Sequence, residues 1–168
     1  MKSIFQSLQV KAVGRLEHIR FNLLHFYFFR GAKGENLLFR SLYVFSWLTV
    51  APYVLAWEMH AHIFRKKRFF VIIEKQVAGV LAVQEKPEVL HITDLAVAPQ
   101  FRRHGVATYI IHYANKQAML LDKKWLELSV LKKNVPALRF YRKVGFSEKV
   151  EQKQSFIMIR KINSCELE

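Results

Sequence analysis

Cysteine is nearly missing from the 168-residue sequence, because Cys165, close to the C-terminus, is the only one. One cysteine excludes a disulfide within the chain and any metal cluster built on cysteine ligands. A reducing, cytoplasmic location fits this composition. Near a chain end, Cys165 is expected to be a bystander rather than a nucleophile.

Acidic residues are also scarce, with 13 Asp and Glu against 27 Lys and Arg, which gives a formal net charge of +14. Such an excess favours acidic partners: phosphates, nucleic acid, ribosomes or an anionic membrane surface. The 52% hydrophobic content and the 14 phenylalanines argue against disorder. The length suits one domain with a real core.

No hydrophobic run is long enough for a simple membrane span. Ser41 to Trp57 is uncharged over seventeen residues, whereas a span needs about 20. Pro52 inside the run would kink or split a helix. We expect helices that cover a sheet, with a helix lying on an anionic membrane as the intermediate alternative. A short apolar stretch followed by a small-residue cleavage site is missing near the start, so a secretory signal is not expected.

The first 64 residues are predicted to be a helical segment that packs on or precedes the core. Apolar residues recur at roughly helical intervals from Ile4 to Phe29, with basic residues between them, which predicts an amphipathic basic helix. His60 and His62 lack a nearby carboxylate or cysteine cluster, so no metal site is predicted there. The run Arg65 to Arg68 is interpreted as a solvated turn, with an acidic partner as the sharper alternative.

From residue 65 to 168 the pattern predicts the core. Phe69–Glu74 and Val77–Val83 are short apolar, β-branched runs that read as a hairpin, and a turn at Pro87 leads into a third strand, Leu90–Val97. These three strands are predicted to form an antiparallel meander.

A helix, a strand, a second helix and more strand follow the meander. Apolar spacing predicts the first helix over Gly105–Leu121, and Trp125–Val130 alternates as a strand that pairs parallel to, or splays from, the Leu90 strand. A second helix begins at Pro136 and stops at Gly145. Phe146 and the run 156–162 supply the last strand or strands. The fold class is therefore a mixed α/β sheet covered by helices.

The junction between the Leu90 strand and the first helix is typical of an anion site. Gly105 and Ala107 are small where backbone must approach a ligand, and the first helical N–H groups lack partners inside the helix. Arg102 and Arg103 add positive charge. An ordinary strand-to-helix connection with two solvated arginines explains the same residues equally well.

Two motifs resemble the GNAT superfamily of acyl-CoA N-acyltransferases. Residues 102–107 read R-x-x-G-x-A after the strand text DLAVAP, which looks like the family loop that cradles the pyrophosphate of coenzyme A. Residues 134–146 read N-x-x-A-x-x-F-Y-x-x-x-G-F, which is similar to the second family motif and looks most like the branch that acetylates protein N-terminal amines. The resemblance implies a GNAT-like fold and an acetyl-CoA-dependent N-acetyltransferase that uses no metal.

The resemblance also implies roles for individual residues. Asn134 matches a cofactor-contacting position, and Tyr141 matches the general acid, although a core tyrosine is the alternative. Strand backbone would pair with the pantetheine arm, and the N–H of Leu95 or Val97 would polarise the thioester carbonyl. The implied cofactor-binding residues are Leu95, Ala96, Val97, Arg102, Arg103, His104, Gly105, Val106, Ala107, Thr108 and Asn134.

The general base is less defined. Family members that acetylate lysine carry a glutamate where this chain has His91, and histidine has an ordinary pKa near ~6.5 that suits a base. Asp94 and Glu127 are competing carboxylates, and solvent alone could deprotonate the amine. The acceptor is a protein N-terminus, a lysine or a small amine. The alternatives are a coenzyme-A-binding module without activity and a basic module that docks membrane or nucleic acid through residues 1–68.

Overall fold

The computed structural model of the protein describes residues 7–14, 17, 20–21, 24 and 66–162. In this part of the chain, seven strands form one mixed sheet in the order β1-β2-β3-β4-β5-β7-β6. The elements are β1 (Gln9–Ala12), β2 (Lys66–Ile73), β3 (Gln76–Glu85), β4 (Val89–Val97), α1 (Val106–Leu120), β5 (Trp125–Leu131), α2 (Val135–Lys143), β6 (Ser147–Glu151) and β7 (Ser155–Lys161). The predicted mixed α/β fold is confirmed.

The predicted meander is present, with β2–β3 and β3–β4 both antiparallel. Its first turn lies one residue earlier than predicted, at Glu74 and Lys75, whose φ angles are 49° and 65°. Two successive left-handed residues match a type I′ hairpin turn, whose twist follows that of the flanking strands.

The main core lies between the sheet and the two helices. Alternate strand residues point to this face, so that Leu81, Leu90, Leu126 and Met158 are fully buried with Ile110 of α1. The predicted apolar face of α2, formed by Ala137, Phe140, Tyr141 and Val144, packs against this core.

A second, smaller apolar cluster lies on the opposite face of the sheet. It contains Phe21 with Phe70, Val80 and Ala82. The rings of Phe21 and Phe70 are 5.9 Å apart, and the guanidinium carbon of Arg68 lies 5.6 Å from the Phe21 ring centre. Residues near the N-terminus therefore cover part of this face.

The predicted helix from Ile4 to Phe29 is wrong for Gln9–Ala12. These four residues form β1, which pairs antiparallel with β2 at the edge of the sheet, with Gln9 opposite Ile72 and Ala12 opposite Phe69. Helical periodicity reports only a local preference. The exposed edge of β2 offers backbone partners to these four residues, and that pairing outweighs the local preference.

The interpretation of the basic run as a solvated turn is also wrong where the structure describes it. Lys66, Lys67 and Arg68 belong to β2, and Arg68 is only 7% exposed. Lys67 pairs with Glu85 on the neighbouring strand at 2.8 Å. The cross-strand ion pair of Lys67 depends on strand pairing, which the local sequence does not reveal.

Two further strands complete the sheet after α2. Phe146 is a buried core residue just before β6. The predicted last strand or strands are two, β6 and β7, which pair antiparallel.

Some residues of the sequence predictions lie outside the described residues: the uncharged run 41–57, His60, His62, Arg65 and Cys165. Among the helices in the described ranges, none combines the length and the apolar character that crossing a membrane requires.

Candidate functional site

The site is built around a gap between β4 and β5. These neighbouring strands run parallel and pair over four positions, from Val89 with Trp125 to Ile92 with Leu128. Beyond that point β4 continues to pair with β3, and β5 with β7, but no further β4–β5 pair exists among the described strands. The prediction of parallel or splayed strands is therefore met in both forms, and the splayed part opens a gap at the carboxyl ends.

A bulge marks the start of the gap. Ala82 faces Asp94 and Val83 faces Ile92, so Thr93 is the extra residue in β4. Such a bulge bends its strand and turns it away from a neighbour. We infer that Thr93 is one local cause of the separation from β5.

The backbone of β4 points two N–H groups into this gap. The Ala98 N–H donates to the Ala78 carbonyl at 2.8 Å, on the β3 side. Because successive residues of a strand direct their N–H and C=O groups to opposite edges, the groups of Val97 and Leu95 face the β5 side. The side chain of Arg102 confirms this direction, since its Nε donates to the Val97 carbonyl at 3.1 Å.

The loop that leaves β4 contains two left-handed residues. After the 3-10 turn Pro99–Phe101, Arg103 has φ 65° and Gly105 has φ 83°. A non-glycine residue in this conformation costs about 1–2 kcal/mol, which surrounding structure has to offset. The side chains of Arg103 and His104 are exposed, and that of Arg102 is half-buried against the end of β4.

Helix α1 begins at this loop with open backbone donors. Gly105 is the N-cap, and no side chain in the described ranges caps the helix. The first intrahelical bond runs from the Tyr109 N–H to the Gly105 carbonyl. Val106 anchors the first turn with a buried side chain, while Ala107 and Thr108 are half-buried. The amides of residues 106–108 therefore form an electropositive helix end that suits a phosphate.

Helix α2 begins at the corresponding end of β5. Because β4 and β5 are parallel, their carboxyl ends, and hence the starts of α1 and α2, lie on the same edge of the sheet. The Asn134 side chain accepts from the Ala137 N–H at 3.4 Å and so caps α2, and Pro136 occupies its first turn. Gly145, with φ 88°, follows the helix as predicted. Asn134 thus has a structural role in addition to the implied cofactor contact.

Tyr141 lies on the core-facing side of α2. Its ring packs at 5.3 Å from that of Phe140 and at 5.7 Å from that of Phe146. Burial raises the pKa of the Tyr141 hydroxyl to about 12. The hydroxyl therefore stays protonated at neutral pH, which a proton donor requires.

His91 lies on the opposite face of the sheet, next to Glu127. The two residues are register partners in β4 and β5, and their side chains contact at 3.0 Å between Nδ1 and Oε1. Lys86 donates to the same oxygen at 2.7 Å, and Lys149 Nζ lies 3.6 Å from the other carboxylate oxygen. The Glu127 side chain is 10% exposed and that of His91 19%.

The electrostatics of this cluster keep the carboxylate charged and the imidazole neutral. Burial raises the pKa of Glu127, but hydrogen bonds and charges from Lys86 and His91 outweigh it and hold the pKa below its ordinary value. Burial and the Lys86 charge lower the pKa of His91, although Glu127 opposes the change. At neutral pH the pair is an anionic glutamate beside a neutral histidine.

The sequence offers His91 and Glu127 as competing bases, whereas the structure brings them together. Local sequence patterns did not identify Lys86 or Lys149 as part of the site. Each strand has one polar residue between two leucine or isoleucine residues, and this pattern was the available signal. Only the register of the parallel pairing brings the two polar side chains into contact. The Asp94 carboxylate accepts a hydrogen bond from the Thr93 hydroxyl. No group of three metal-binding side chains occurs in the described ranges.

Comparison with known proteins agrees with this geometry. A sequence model of the acetyltransferase (GNAT) family matches residues 35–146. An uncharacterized N-acetyltransferase of Methanocaldococcus jannaschii is 36% identical over 78 residues, which are 46% of this chain and 34% of the relative. N-alpha-acetyltransferase 20 of Dictyostelium discoideum is 36% identical over 58 residues, which are 34% of each protein. The matched segments thus span about a third of these relatives.

Among solved structures, the PaiA N-acetyltransferase of Thermoplasma acidophilum, determined in complex with coenzyme A, superposes with a TM-score of 0.68. The superposition covers 92% of this chain and 99% of that protein. At 15% identity, it supports a shared fold alone. The family model covers more than half of the chain and includes both motifs that resemble GNAT enzymes. The protein therefore belongs to the acetyltransferase (GNAT) family.

Proposed function

We propose that the protein is an N-acetyltransferase that moves an acetyl group from acetyl-CoA directly to an amine. The observation that carries this proposal is the gap between β4 and β5, which ends at the uncapped N-terminus of α1. A gap of this kind offers strand backbone to an extended acyl-pantetheine arm and helix amides to a phosphate group at its end.

The residues present fit coenzyme A. The amides from Arg103 to Thr108 would hold the pyrophosphate, and the left-handed backbone at Arg103 and Gly105 leaves these amides open. Arg102 and Arg103 bring positive charge to the same point. The fold likeness to a protein that was solved with coenzyme A supports this fit.

Acetyl-CoA supplies the activated acyl group when it is bound. The chain contributes backbone donors, since the Leu95 and Val97 N–H groups face the gap and would hydrogen-bond the carbonyl oxygen of the acyl group. Tyr141 would donate the proton of its hydroxyl to the thiolate of coenzyme A that leaves when the carbon–sulfur bond breaks, and its raised pKa keeps that proton in place until then. His91 would accept the proton that leaves the amine.

A peptide N-terminus is the acceptor that we favour. The spacing of Asn134, Tyr141 and Gly145 resembles the branch that acts on N-terminal amines, and one similar protein is named N-alpha-acetyltransferase 20. Lysine side chains and small amines remain the alternatives. A panel of a peptide with a free N-terminus, an N-blocked lysine peptide and spermidine separates these three classes.

The test follows thiol release from acetyl-CoA with each member of the panel. Tyr141→Phe is expected to lower kcat by about 10–100-fold with little change in KM for acetyl-CoA, because only the proton is removed. Tyr113→Phe is the matched control, because Tyr113 lies on α1 with its ring 5.2 Å from that of Phe69 and plays no part in the proposal. Equal rates for both variants would remove Tyr141 from the mechanism, and no turnover with any amine would overturn the proposed function.

A further inference from the structure

The contact between His91 and Glu127 specifies one form of the imidazole ring. An ionised carboxylate can only accept hydrogen bonds, so the ring nitrogen at 3.0 Å from Glu127 Oε1 has to be the donor. That nitrogen is Nδ1. In the neutral ring the proton therefore sits on Nδ1, and Nε2 carries the free lone pair.

Glu127 is held in its ionised form by its surroundings. Lys86 donates to Oε1 at 2.7 Å, and Lys149 approaches Oε2 to 3.6 Å. The Lys86 hydrogen bond holds Oε1, and the Lys149 charge attracts Oε2 without bonding to it, so both lysines oppose rotation of the carboxylate away from the ring. The carboxylate is a poor base itself, because its pKa lies below the ordinary value for glutamate.

We propose that Glu127 is a positioning residue that orients His91, so that Nε2 of His91 accepts the proton released by the acceptor amine. This inference rests on the proposed function. One proton leaves the amine nitrogen and binds Nε2, the imidazolium keeps its Nδ1–H on Glu127, and Nε2 later returns the proton to water. The pair thereby works as a histidine base with a carboxylate that stabilises the charged ring.

The placement of the pair suits this role. His91 is one residue before the last β4–β5 pair, and Tyr141 packs against the core on the opposite face of the sheet, so candidate base and candidate acid lie on different sides of the sheet. Leu95 lies four positions after His91, or about 13 Å along an ideal strand. One water cannot span that distance, so the proton passes along a chain of hydrogen-bonded waters rather than by direct contact.

The charged groups around His91 come from several strands. Lys86 follows β3, Glu127 lies in β5, Lys66 in β2 and Lys149 in β6, while Asp94 lies further along β4. Burial and the charges of Lys86 and Lys66 lower the pKa of His91, and Glu127 raises it. Removal of the Glu127 charge should therefore make His91 harder to protonate.

The first measurement determines the ring form without any reaction. The full chain is labelled with nitrogen-15 and its histidine rings are observed by long-range proton–nitrogen NMR, with the His91 signals assigned by their loss in His91→Gln. The expected result at pH 7.5 is a proton on Nδ1, and Glu127→Gln should move the ring's titration midpoint to lower pH. A proton on Nε2, or an unchanged midpoint, overturns the proposal.

The second measurement is the pH profile of kcat/KM with an amine that the wild-type protein acetylates. Glu127→Gln should shift the acid limb to lower pH and reduce kcat by roughly tenfold, and Glu127→Ala should reduce it further because it also loses the hydrogen bond. Glu88→Gln is the control, since Glu88 also pairs with a lysine, Lys124 at 2.5 Å, but does not contact a histidine in the described structure. Thermal unfolding checks that each variant is folded.

The outcomes separate the two levels of the proposal. Transfer by the wild type with an acid limb that Glu127→Gln leaves in place would overturn the positioning role and spare the proposed function. If the wild type transfers no acetyl group to any amine in the panel, the proposed function is overturned, whether or not the protein binds acetyl-CoA. The catalytic use of His91 is then overturned with it. Equal losses in Glu127→Gln and Glu88→Gln would mean that the effect is a general loss of surface charge.

Discussion

The two faces of the sheet differ in what they bury. The face under α1 and α2 carries the main apolar core, with Leu90, Ile92, Leu126 and Leu128 all nearly inaccessible. The other face has a smaller apolar cluster and also carries His91 and Glu127. Along the chain, His91 lies between Leu90 and Ile92, and Glu127 lies between Leu126 and Leu128. Neighbouring residues of one strand therefore pack into the core on one side and form a charged cluster on the other.

This difference shows how a parallel strand pair can carry an apolar core on one face and an ionised cluster on the other. Alternation sends every second side chain to each face, so a continuous apolar face can coexist with an ionised cluster one residue away. The cluster remains partly accessible, with 19% of the His91 side chain and 41% of the Lys86 side chain exposed. Changes on the two faces should consequently have separable effects.

The largest effect is expected from a change on the apolar face. Leu126→Ala should lower the free energy of unfolding by about 3 kcal/mol, because it removes a fully buried side chain and leaves a cavity. Glu127→Gln at the adjacent position should cost less than about 1 kcal/mol, because the partly exposed Lys86 can be solvated and the amide still contacts His91. Urea unfolding measures both, and similar losses would contradict the separation of the faces.

The next largest effect is expected from a substitution in the loop before α1. Gly105→Ala should weaken binding of coenzyme A by about tenfold, because alanine resists φ 83° and would displace the amides that open the helix. The measurement is calorimetric titration with coenzyme A.

Gly145→Ala is the matched control for that change. Gly145 has nearly the same angle, φ 88°, and an added Cβ there would meet only ordinary contacts with Arg160 at 3.6 Å and 3.8 Å. Both variants should lose roughly 1–2 kcal/mol of stability, and only Gly105→Ala should lose affinity. Equal affinity losses would mean that the start of α1 does not hold the ligand.

The sequence predicted the apolar face far better than the polar one. The apolar part of β2, strands β3 to β5 and both helices follow from local periodicity and from Gly105, Pro136 and Gly145, whose chemistry acts on adjacent residues. The contact of His91 with Glu127 depends on the register between strands that are separated by a whole helix, and local patterns carry no such information.

The same reasoning explains the error at the N-terminus. Gln9–Ala12 pairs with β2, more than fifty positions later in the chain, and an edge strand of four residues leaves little pattern of its own. The roles of Asn134 and Arg102 were likewise only partly predictable. Their side chains hold local backbone, at the Ala137 N–H and the Val97 carbonyl, besides any contact with a ligand.

Asn134 provides a test with a smaller effect on the cofactor face. Asn134→Ala should cost about 1 kcal/mol of stability, because it removes the side chain that caps α2. Asn134→Asp keeps a capping oxygen and should restore the stability. If Asn134 also contacts coenzyme A, the aspartate variant should still bind it more weakly, and full recovery of both properties would leave the residue with the cap alone.

The smallest effect concerns the pH dependence of stability on the polar face. The pKa of His91 in the folded protein lies below its ordinary value of 6.5, so between these two values the unfolded chain binds more protons. Stability from this residue is therefore present above pH 6.5 and is lost as the pH falls through the folded pKa, with a slope of at most about 1.4 kcal/mol per pH unit.

Urea unfolding of wild type and His91→Gln between pH 8 and pH 5.5 isolates this contribution, because all other histidines are common to both proteins. The variant should show the shallower decline on the acid side. Glu127 does not interfere, since its pKa is lowered from 4.5 and its contribution is lost only below that window. Parallel declines would mean that the imidazole is as easily protonated in the folded protein as in the unfolded chain, and a neutral His91 beside an anionic Glu127 would then be wrong.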